Sequence, residues 1–178
     1  MRRLLAPPLL SIFLVLSACV GRPSLEDKVL SDRDLNLEEF FAGKVIAHGQ
    51  FQDIFGNVSR RFTVDIEGTW DGETLHLVED FIYEDLSTER RVWKLRKTGL
   101  ETWEGTAPGV IGMAAGEERG DVFNWKYTID LPISNGETVR VSFDDWMWLL
   151  SEDRLLNRAY MRRFGVLIGE VIISFERN

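Results

Sequence analysis

The sequence predicts an all-β protein in which about eight to nine antiparallel strands close into a barrel. Residues 61–67 and 122–130 carry apolar side chains at every second position, the period of a strand with one buried face. Turn residues such as Asp71-Gly72 and Asn135-Gly136 separate these runs at hairpin spacing, and no long helical pattern lies between them. We expect so long a meander to close, because an open sheet leaves unpaired edges.

The first 18 residues are typical of a bacterial lipoprotein signal peptide. A short basic segment precedes an apolar run from Leu4 to Leu16 that contains two prolines. The run is shorter than the roughly 20 residues of a membrane-spanning helix, and the prolines also disfavour a buried helix. Leu16-Ser17-Ala18 leads directly into Cys19, the only cysteine of the chain. The resemblance to lipoprotein precursors implies cleavage between Ala18 and Cys19 and acylation of the cysteine thiol and amine.

An acylated Cys19 would anchor the protein in a membrane. Several chains such as palmitate hold a protein durably, whereas a single chain binds weakly. Val20 follows the cysteine where an aspartate would favour inner-membrane retention in enterobacterial lipoproteins. The expected location is therefore the cell envelope, on the outer membrane with the domain facing the periplasm.

The composition limits the partners of the mature protein. Removing residues 1–18 from the 178-residue chain leaves 160 residues and, with two arginines lost, changes the formal net charge from −8 to −10. So acidic a domain does not attract nucleic acid or anionic headgroups over its whole surface. With no second cysteine it cannot form an internal disulfide, and its stability must come from a packed core.

Three segments follow from these patterns: the signal peptide at 1–18, a lipidated N-terminus and polar tether at 19–40, and a barrel domain at 41–178. A short helical turn is expected to end near Phe40-Phe41. The predicted strands lie near 43–53, 58–69, 73–83, 88–97, 100–106, 121–131, 137–149, 154–163 and 166–176.

Residues 107–116 interrupt the strand pattern with glycines and small side chains. They could form a flap over the barrel mouth or a connection between non-adjacent strands. Val110, Ile111 and Met113 must in either case contact the barrel, a ligand or a membrane.

Several motifs resemble the DUF3833 family of proteobacterial lipoproteins, in the same order along the chain. They are Phe40-Phe41-Ala42-Gly43, Gly49-Gln50-Phe51, Trp103-Glu104-Gly105, Phe143-Asp144-Asp145-Trp146-Met147 and Asn157-Arg158-Ala159. The resemblance covers essentially the whole mature domain and implies a lipocalin-like, calycin-type barrel. Its members are often encoded near fatty-acid-modifying enzymes, which favours a lipid ligand. The family offers no assigned catalytic residues.

Glu79 and Arg91 form the first candidate site. Glu79 shares one face of its predicted strand with four apolar residues, and Arg91 and Trp93 share a face of the next strand. A turn at 85–87 places these faces side by side. Because a buried carboxylate needs a partner, Glu79 and Arg91 could form an interior pair. A register shift of one residue would instead leave both in solvent.

The second candidate site lies in residues 143–150, where both strand faces are apolar and Asp144 and Asp145 are embedded. A bulge that shifts the phase would explain this pattern. Arg158 could bind a ligand carboxylate or phosphate beside Trp146 and Trp148, or it could pair with the two acids and close one barrel end. We favour the second interpretation. The candidates for a ligand cavity or barrel-end cluster are Glu79, Arg91, Trp93, Trp125, Asp144, Asp145, Trp146, Trp148, Asn157 and Arg158.

The sequence favours a non-enzymatic role, with no cofactor or metal. His48 and His76 have no metal-ligand spacing, and no serine lies in a Gly-x-Ser-x-Gly elbow. Adjacent Asp144 and Asp145 normally face opposite sides of a strand, which disfavours a two-carboxylate mechanism.

Three functional hypotheses follow. The leading one is a barrel that binds or carries a hydrophobic ligand, such as a fatty acid or lipid, in a cavity of roughly 300 Å³ or more. The second is a structural or adaptor lipoprotein that binds an unidentified envelope protein through residues 107–116. The third, less favoured, is a lipid-modifying enzyme.

Overall fold

The computed structural model describes residues 21–132 and 136–177, which form one short helix and ten antiparallel strands. The predicted signal peptide, Cys19 and part of the predicted turn at 134–136 lie outside the described residues. No helix among the described residues is long and apolar enough to span a membrane.

The elements follow the chain in this order: α1 (Leu37–Phe41), β1 (Gly43–Asp53), β2 (Val58–Trp70), β3 (Thr74–Tyr83), β4 (Thr88–Lys97), β5 (Thr102–Thr106), β6 (Ala114–Arg119), β7 (Val122–Pro132), β8 (Thr138–Ser151), β9 (Arg154–Arg163) and β10 (Val166–Arg177). Each strand pairs with the next, and β1 pairs with β10 to close the barrel. The predicted antiparallel barrel is confirmed, and so is the helical turn ending at Phe41. Because the strands and their closing pair lie within residues 43–177, a chain that starts at Val20 contains the whole barrel.

The barrel has one strand more than predicted, because β6 lies in the segment rich in small residues. The inward positions of β6 are Ala114, Gly116 and Glu118, none of them a large apolar residue, so no alternation is visible in the sequence. A Cβ atom on Gly116 would lie too close to the Trp125 ring, which crosses it from β7. The neighbouring strand therefore supplies the apolar bulk that β6 lacks.

The two ends of the barrel differ. We call the end at which β1, β3, β7 and β9 terminate the mouth end; it carries the hairpin loops 54–57, 84–87 and 164–165. The closed end is the opposite one, where α1 lies, and it carries the loops 71–73, 98–101, 120–121 and 152–153.

Helix α1 plugs the closed end. Leu37, Phe40 and Phe41 are buried there. Gly68 permits this approach, because a Cβ atom at that position would overlap the carbonyl of Phe41. The first turn is fixed by Glu118, whose Oε1 accepts a hydrogen bond of 2.7 Å from the Leu37 N–H. Such a partner satisfies one of the N–H groups that a helix N-terminus leaves free.

Residues 107–113 are neither a flap over the mouth nor a connection between non-adjacent strands. They join the adjacent strands β5 and β6 and run beside the upper part of β7. The Ile111 N–H donates to the Thr128 carbonyl at 2.8 Å, and the Asp130 N–H donates to the Gly109 carbonyl at 2.9 Å. The segment thus extends the barrel wall where β5 and β6 are short, with Ile111 and Met113 exposed outside.

The polar segment before α1 follows the outside of the barrel. At the closed end the Leu35 N–H donates to the Gly120 carbonyl at 2.7 Å. Nearer the N-terminus, the Arg22 guanidinium lies 5.7 Å from the ring centre of Tyr160, on the outer face of β9. Tyr160 stands three residues before Arg163, where β9 ends at the mouth end. The segment therefore runs from the closed end toward the mouth end.

Candidate ligand-binding cavity

A continuous cavity of about 580 Å³ occupies the inside of the barrel. Leu37 and Phe41 of the plug line it at the closed end, and Arg60 and Pro132 line it at the mouth end. The predicted cavity of 300 Å³ or more is therefore confirmed. A solid core filled by tryptophan side chains, the outcome that would have excluded ligand binding, does not occur.

Most of the cavity wall is apolar, because the inward positions of the strands carry aromatic and aliphatic side chains. Tyr127 and Phe143 stack with ring centres 5.0 Å apart, and Trp93 meets Tyr127 edge-on at 5.1 Å. Trp93 also contacts Trp125 edge-on at 5.8 Å. Of the candidate tryptophans, Trp93 and Trp125 thus lie in the wall of the cavity.

Polar side chains form a belt around the middle of this cavity, which we call the polar belt. Its members come from five strands: Glu79 on β3, Arg91 on β4, Tyr127 on β7, Asp145 on β8 and Asn157 on β9. Each takes an inward position of its strand, so the alternation that builds the wall also directs these groups into the cavity.

Glu79 and Arg91 stand directly opposite each other in the β3–β4 register, and both face the cavity. The ion pair of Arg91 is nevertheless made with Glu89, at 2.6 Å, and not with Glu79. Tyr83 donates its hydroxyl to the other oxygen of Glu89 at 2.8 Å. Burial acts to raise the pKa of Glu89, but Arg91 and Tyr83 outweigh it and hold that pKa below its usual value.

Glu79 has no direct ion-pair partner among the described residues, and this affects its protonation state. Burial raises the pKa of Glu79 to about 7, although the charge of Arg91 opposes the shift. A neutral carboxylic acid at this position can donate a hydrogen bond as well as accept one. The predicted interior pair is therefore a charge interaction across the β3–β4 register without a direct contact, because Glu89 forms the ion pair with Arg91.

Asp145 and Asn157 form the opposite side of the polar belt. Asn157 donates its side-chain N–H to Asp145 Oδ2 over a long 3.4 Å. Burial raises the pKa of Asp145 to about 7, while the hydrogen bond from Asn157 opposes the shift. Asp145 Oδ1 and Asn157 Oδ1 are both buried without a hydrogen-bond partner among the described residues. Two buried oxygen atoms of residues that line the cavity thus have no hydrogen-bond partner among the described residues.

The remaining candidates from β8 and β9 lie on the outer wall. Arg158 points outward and pairs with Glu170 at 2.7 Å, so it neither reaches the cavity nor contacts the two acids. Asp144 also points outward and accepts a hydrogen bond from Asn124 at 2.8 Å. Trp146 and Trp148 alternate with the inward Asp145 and Met147, and therefore face away from the cavity.

The expected bulge at the two acids is also absent. The register of β7 and β8 is continuous through Asp144 and Asp145, and the irregularity lies between Leu149 and Ser151. Both faces of β8 are apolar because both are covered. Trp146 and Tyr160 are buried on the outer wall, where Arg22 of the N-terminal segment also lies. The apolar residues on both faces of β8 therefore reflect a strand that is covered on both sides, and not a bulge that shifts the alternation.

Sequence reasoning missed Glu89, Tyr83 and Tyr127 as site residues. Tyr127 could have been found, since it continues the alternation of Phe123 and Trp125. Its pKa lies well above the usual value because it is buried. Nothing in the sequence marks Glu89 as the partner of Arg91, because the two are neighbours on one strand face and the choice depends on side-chain reach. No group of three or more described His, Cys, Asp or Glu residues is placed to hold a metal ion.

The fold is similar to that of a solved structure with little sequence identity. The S-type phycobiliprotein lyase CPES from Guillardia theta superimposes with a TM-score of 0.60 at 12% identity, covering 81% of this chain and 93% of the lyase. A barrel named EF1p2_mFAP2b bound to DFHBI gives a TM-score of 0.44 at 9% identity, covering 79% of this chain and 95% of that one. The redesigned barrel mFAP1, also bound to DFHBI, gives 0.41 at 10% identity, covering 79% and 97%.

A search of curated proteins found no match to this chain. A family model described as "Protein of unknown function (DUF3833)" matches residues 13–177, so the chain belongs to the DUF3833 family.

Proposed function

We propose that this DUF3833 protein binds a hydrophobic small molecule, such as a fatty acid or another lipid, inside its barrel, as a lipid-anchored protein of the cell envelope. The observation that carries the proposal is the cavity of about 580 Å³ with its mainly apolar wall. Its volume lies within the roughly 300–1,000 Å³ that small-molecule sites occupy. A barrel of ten strands whose inward side chains leave this much space has room for an apolar guest.

The polar belt favours a particular kind of polar group on that guest. Asn157 Oδ1 needs a hydrogen-bond donor, as does Asp145 Oδ1 when the carboxyl is ionised, and an unsatisfied buried acceptor costs about 1–3 kcal/mol. Arg91 already has the carboxylate of Glu89. A guest with a hydroxyl, an amide N–H or a protonated carboxyl group therefore fits the belt better than one with a permanent negative charge.

The proposed anchor and location depend on the N-terminal sequence. The Leu-Ser-Ala-Cys segment that ends at Cys19 supports acylation, and Val20 supports the outer membrane, with the domain in the periplasm. A membrane anchor would hold the cavity close to the source of its lipid.

Native mass spectrometry of residues 20–178 purified from cells tests the binding of an apolar guest. We expect one co-purifying compound of defined mass, in an amount that falls when Ala159→Phe fills the cavity. Ala115→Phe makes the same change on the exposed outer face of β6 and should leave the bound amount unchanged. Met161→Trp provides a second filling variant if Ala159→Phe lowers stability. Equal loading of all four proteins would refute a guest in this cavity.

The preference for a donor group has its own test. Competition between 1-hexadecanol and its methyl ether, at equal chain length, compares a donor with a non-donor. We expect the alcohol to bind about tenfold more tightly, since its hydroxyl can donate to one of the two acceptors, whereas the ether has no donor. In Asn157→Leu, which removes one acceptor, the ratio should shrink; equal affinities in the unmodified protein would contradict the preference.

A further inference from the structure

Large apolar side chains stand exposed at the three described hairpin tips of the mouth end. Phe55 is 83% exposed in the β1–β2 loop, Leu86 is 83% exposed in the β3–β4 loop, and Phe164 is 91% exposed in the β9–β10 loop. Ile54 and Val166 beside them are also exposed. We call this set the mouth rim. The rim surrounds the end at which Arg60 and Pro132 line the cavity.

Two of these tips are held in a backbone conformation that their residue types rarely adopt. Leu86 has φ 65° and Phe164 has φ 51°, in the left-handed region where glycine and asparagine are usual. Neither side chain gains burial in return, since both are exposed. Because burial within the protein does not compensate for the strained backbone, the strain points to a role in contacting another molecule.

The hairpin tips of the closed end have a different composition. They carry Asp71, Glu73, Asp121, Glu152 and Asp153. Among the loop residues there, one large apolar side chain is exposed, that of Leu100 at 93%, and Leu150 beside the 152–153 loop is 63% exposed. An apolar tip is therefore the rule at the mouth end and the exception at the closed end.

The charges nearest to Phe164 would suit an anionic surface. Arg162 and Arg163 precede it, and neither forms an ion pair with a carboxylate of the described residues. Arg162 donates to the Gly165 carbonyl at 2.9 Å, and the Arg163 guanidinium lies 5.2 Å from the Phe164 ring centre. An aromatic residue preceded by two arginines is a combination that favours the headgroup region of a bilayer.

The path of the N-terminal segment is a separate observation that supports the same surface. It runs from the closed end to Arg22 beside Tyr160, near the mouth end of β9. The proposed acylation site precedes Arg22 by three residues in the sequence. A lipid anchor attached so close to Arg22 would orient the mouth end toward the membrane.

We infer that the mouth rim docks on the surface of a phospholipid bilayer, with Phe55, Leu86 and Phe164 inserted among the lipids. Docking would join the apolar cavity to the bilayer, so that a lipid passes between them without crossing water. This passage rests on the proposed lipid-binding function, whereas the docking itself does not.

The shape of the rim favours a bilayer over a protein partner. Its apolar side chains stand on three separate loops with polar residues such as Asp53, Arg60 and Asp85 between them. A fluid surface can receive separate protruding side chains, whereas a protein interface is built around a continuous buried centre.

Flotation with vesicles tests the inference. Residues 20–178, which lack the acylation site, would be mixed with vesicles of phosphatidylethanolamine and phosphatidylglycerol at a ratio of 3:1. We expect the protein to float with the vesicles, and Leu86→Asn/Phe164→Asn to reduce its partition coefficient by roughly tenfold or more. Leu100→Asn at the closed end is the matched control and should float like the unmodified protein. Asparagine suits the left-handed positions, so the rim variant should fold at least as well.

Three results would overturn the inference: no flotation of the unmodified protein, equal loss in the Leu100 variant, or rim-dependent self-association in solution without flotation. The last would assign the rim to a second copy of the chain. The rim variant should still hold its co-purifying compound in native mass spectrometry. Flotation without any bound compound would refute the proposed function while leaving the docking intact.

Discussion

The closed end and the mouth end of the barrel use similar residues for opposite purposes. At the closed end Phe41 is 4% exposed and packs edge-on against Phe175, with ring centres 5.5 Å apart. At the mouth end Phe164 is 91% exposed. Apolar side chains stabilise the fold at one end and remain available for binding at the other. The difference supports the proposal that binding takes place at the mouth end and in the cavity below it.

The charged and polar side chains of the closed end also differ from those of the cavity. At the closed end Lys97 Nζ lies 2.6 Å from Glu38 and 3.6 Å from Glu118, which also accepts the Leu37 N–H. In the cavity, Asp145 has an oxygen with no described partner. The charges that hold the plug in place contact an opposite charge, although Glu38 Oε2 also lacks a hydrogen-bond partner, whereas Asp145 forms no ion pair within the described residues.

The largest expected effect is the loss of the plug. Phe41→Ala should lower the free energy of unfolding by about 3–5 kcal/mol, because it removes a buried aromatic side chain and leaves a cavity. Phe164→Ala makes the same change at the mouth end and should alter stability by less than about 1 kcal/mol. Urea unfolding at neutral pH measures both, and equal losses would abolish the contrast between the ends.

The next effect concerns pH. The pKa values of Glu79 and Asp145 are about 7, above their ordinary values of 4.5 and 3.8. Between about pH 4.5 and 7 the folded protein holds protons that the unfolded chain has lost. Their contribution to stability is therefore complete below about pH 4 and is lost as pH rises to 7.

Replacing these acids tests that pH dependence. Asp145→Asn should raise the free energy of unfolding at pH 8 by about 3 kcal/mol. It should also reduce the decline between pH 5 and 7, and Glu79→Gln added to it should reduce the decline further. Urea unfolding across this range measures the slope. An identical decline in the unmodified protein and the double variant would show that other groups cause it.

A smaller loss is expected from the ion pairs behind the plug. Lys97→Met leaves Glu38 and Glu118 without their cation and should cost about 2 kcal/mol, less than for a fully buried pair because Lys97 is partly exposed. Lys94→Met changes the exposed lysine three residues earlier on β4 and should have little effect. Comparable losses in the two variants would mean that the pairs do not hold α1.

The smallest effect has the opposite sign. Phe164→Asn should raise the free energy of unfolding by about 1 kcal/mol, because asparagine tolerates the left-handed conformation better. Thermal unfolding should show a midpoint higher by about 2–4 °C. Phe164→Ala, which keeps the strain, should show no such gain. A lower midpoint for Phe164→Asn would mean that the phenylalanine is needed for folding.

Much of the fold was predictable from local patterns. β1, β4 and β9 begin and end at the predicted residues 43–53, 88–97 and 154–163. Turn residues border these strands, so their ends are marked in the local sequence. β6 was missed because its inward residues are small or polar. Trp146, Trp148 and Arg158 were assigned to a cavity or a barrel end, although alternation alone could not tell which face of β8 and β9 was inside.

The local sequence pattern was enough to predict the strands and their closure into a barrel, because the alternation of side chains and the turn residues act over a few neighbours. The folded barrel was needed to learn that the ten inward faces leave a cavity, that Glu89 forms the ion pair with Arg91, and that Trp146 is buried on the outer wall. These outcomes depend on side chains from strands far apart in the chain. The size of the cavity, the choice of ion pair and the burial of an outer side chain all depend on contacts between residues that are distant in the sequence. A local sequence pattern does not specify such contacts.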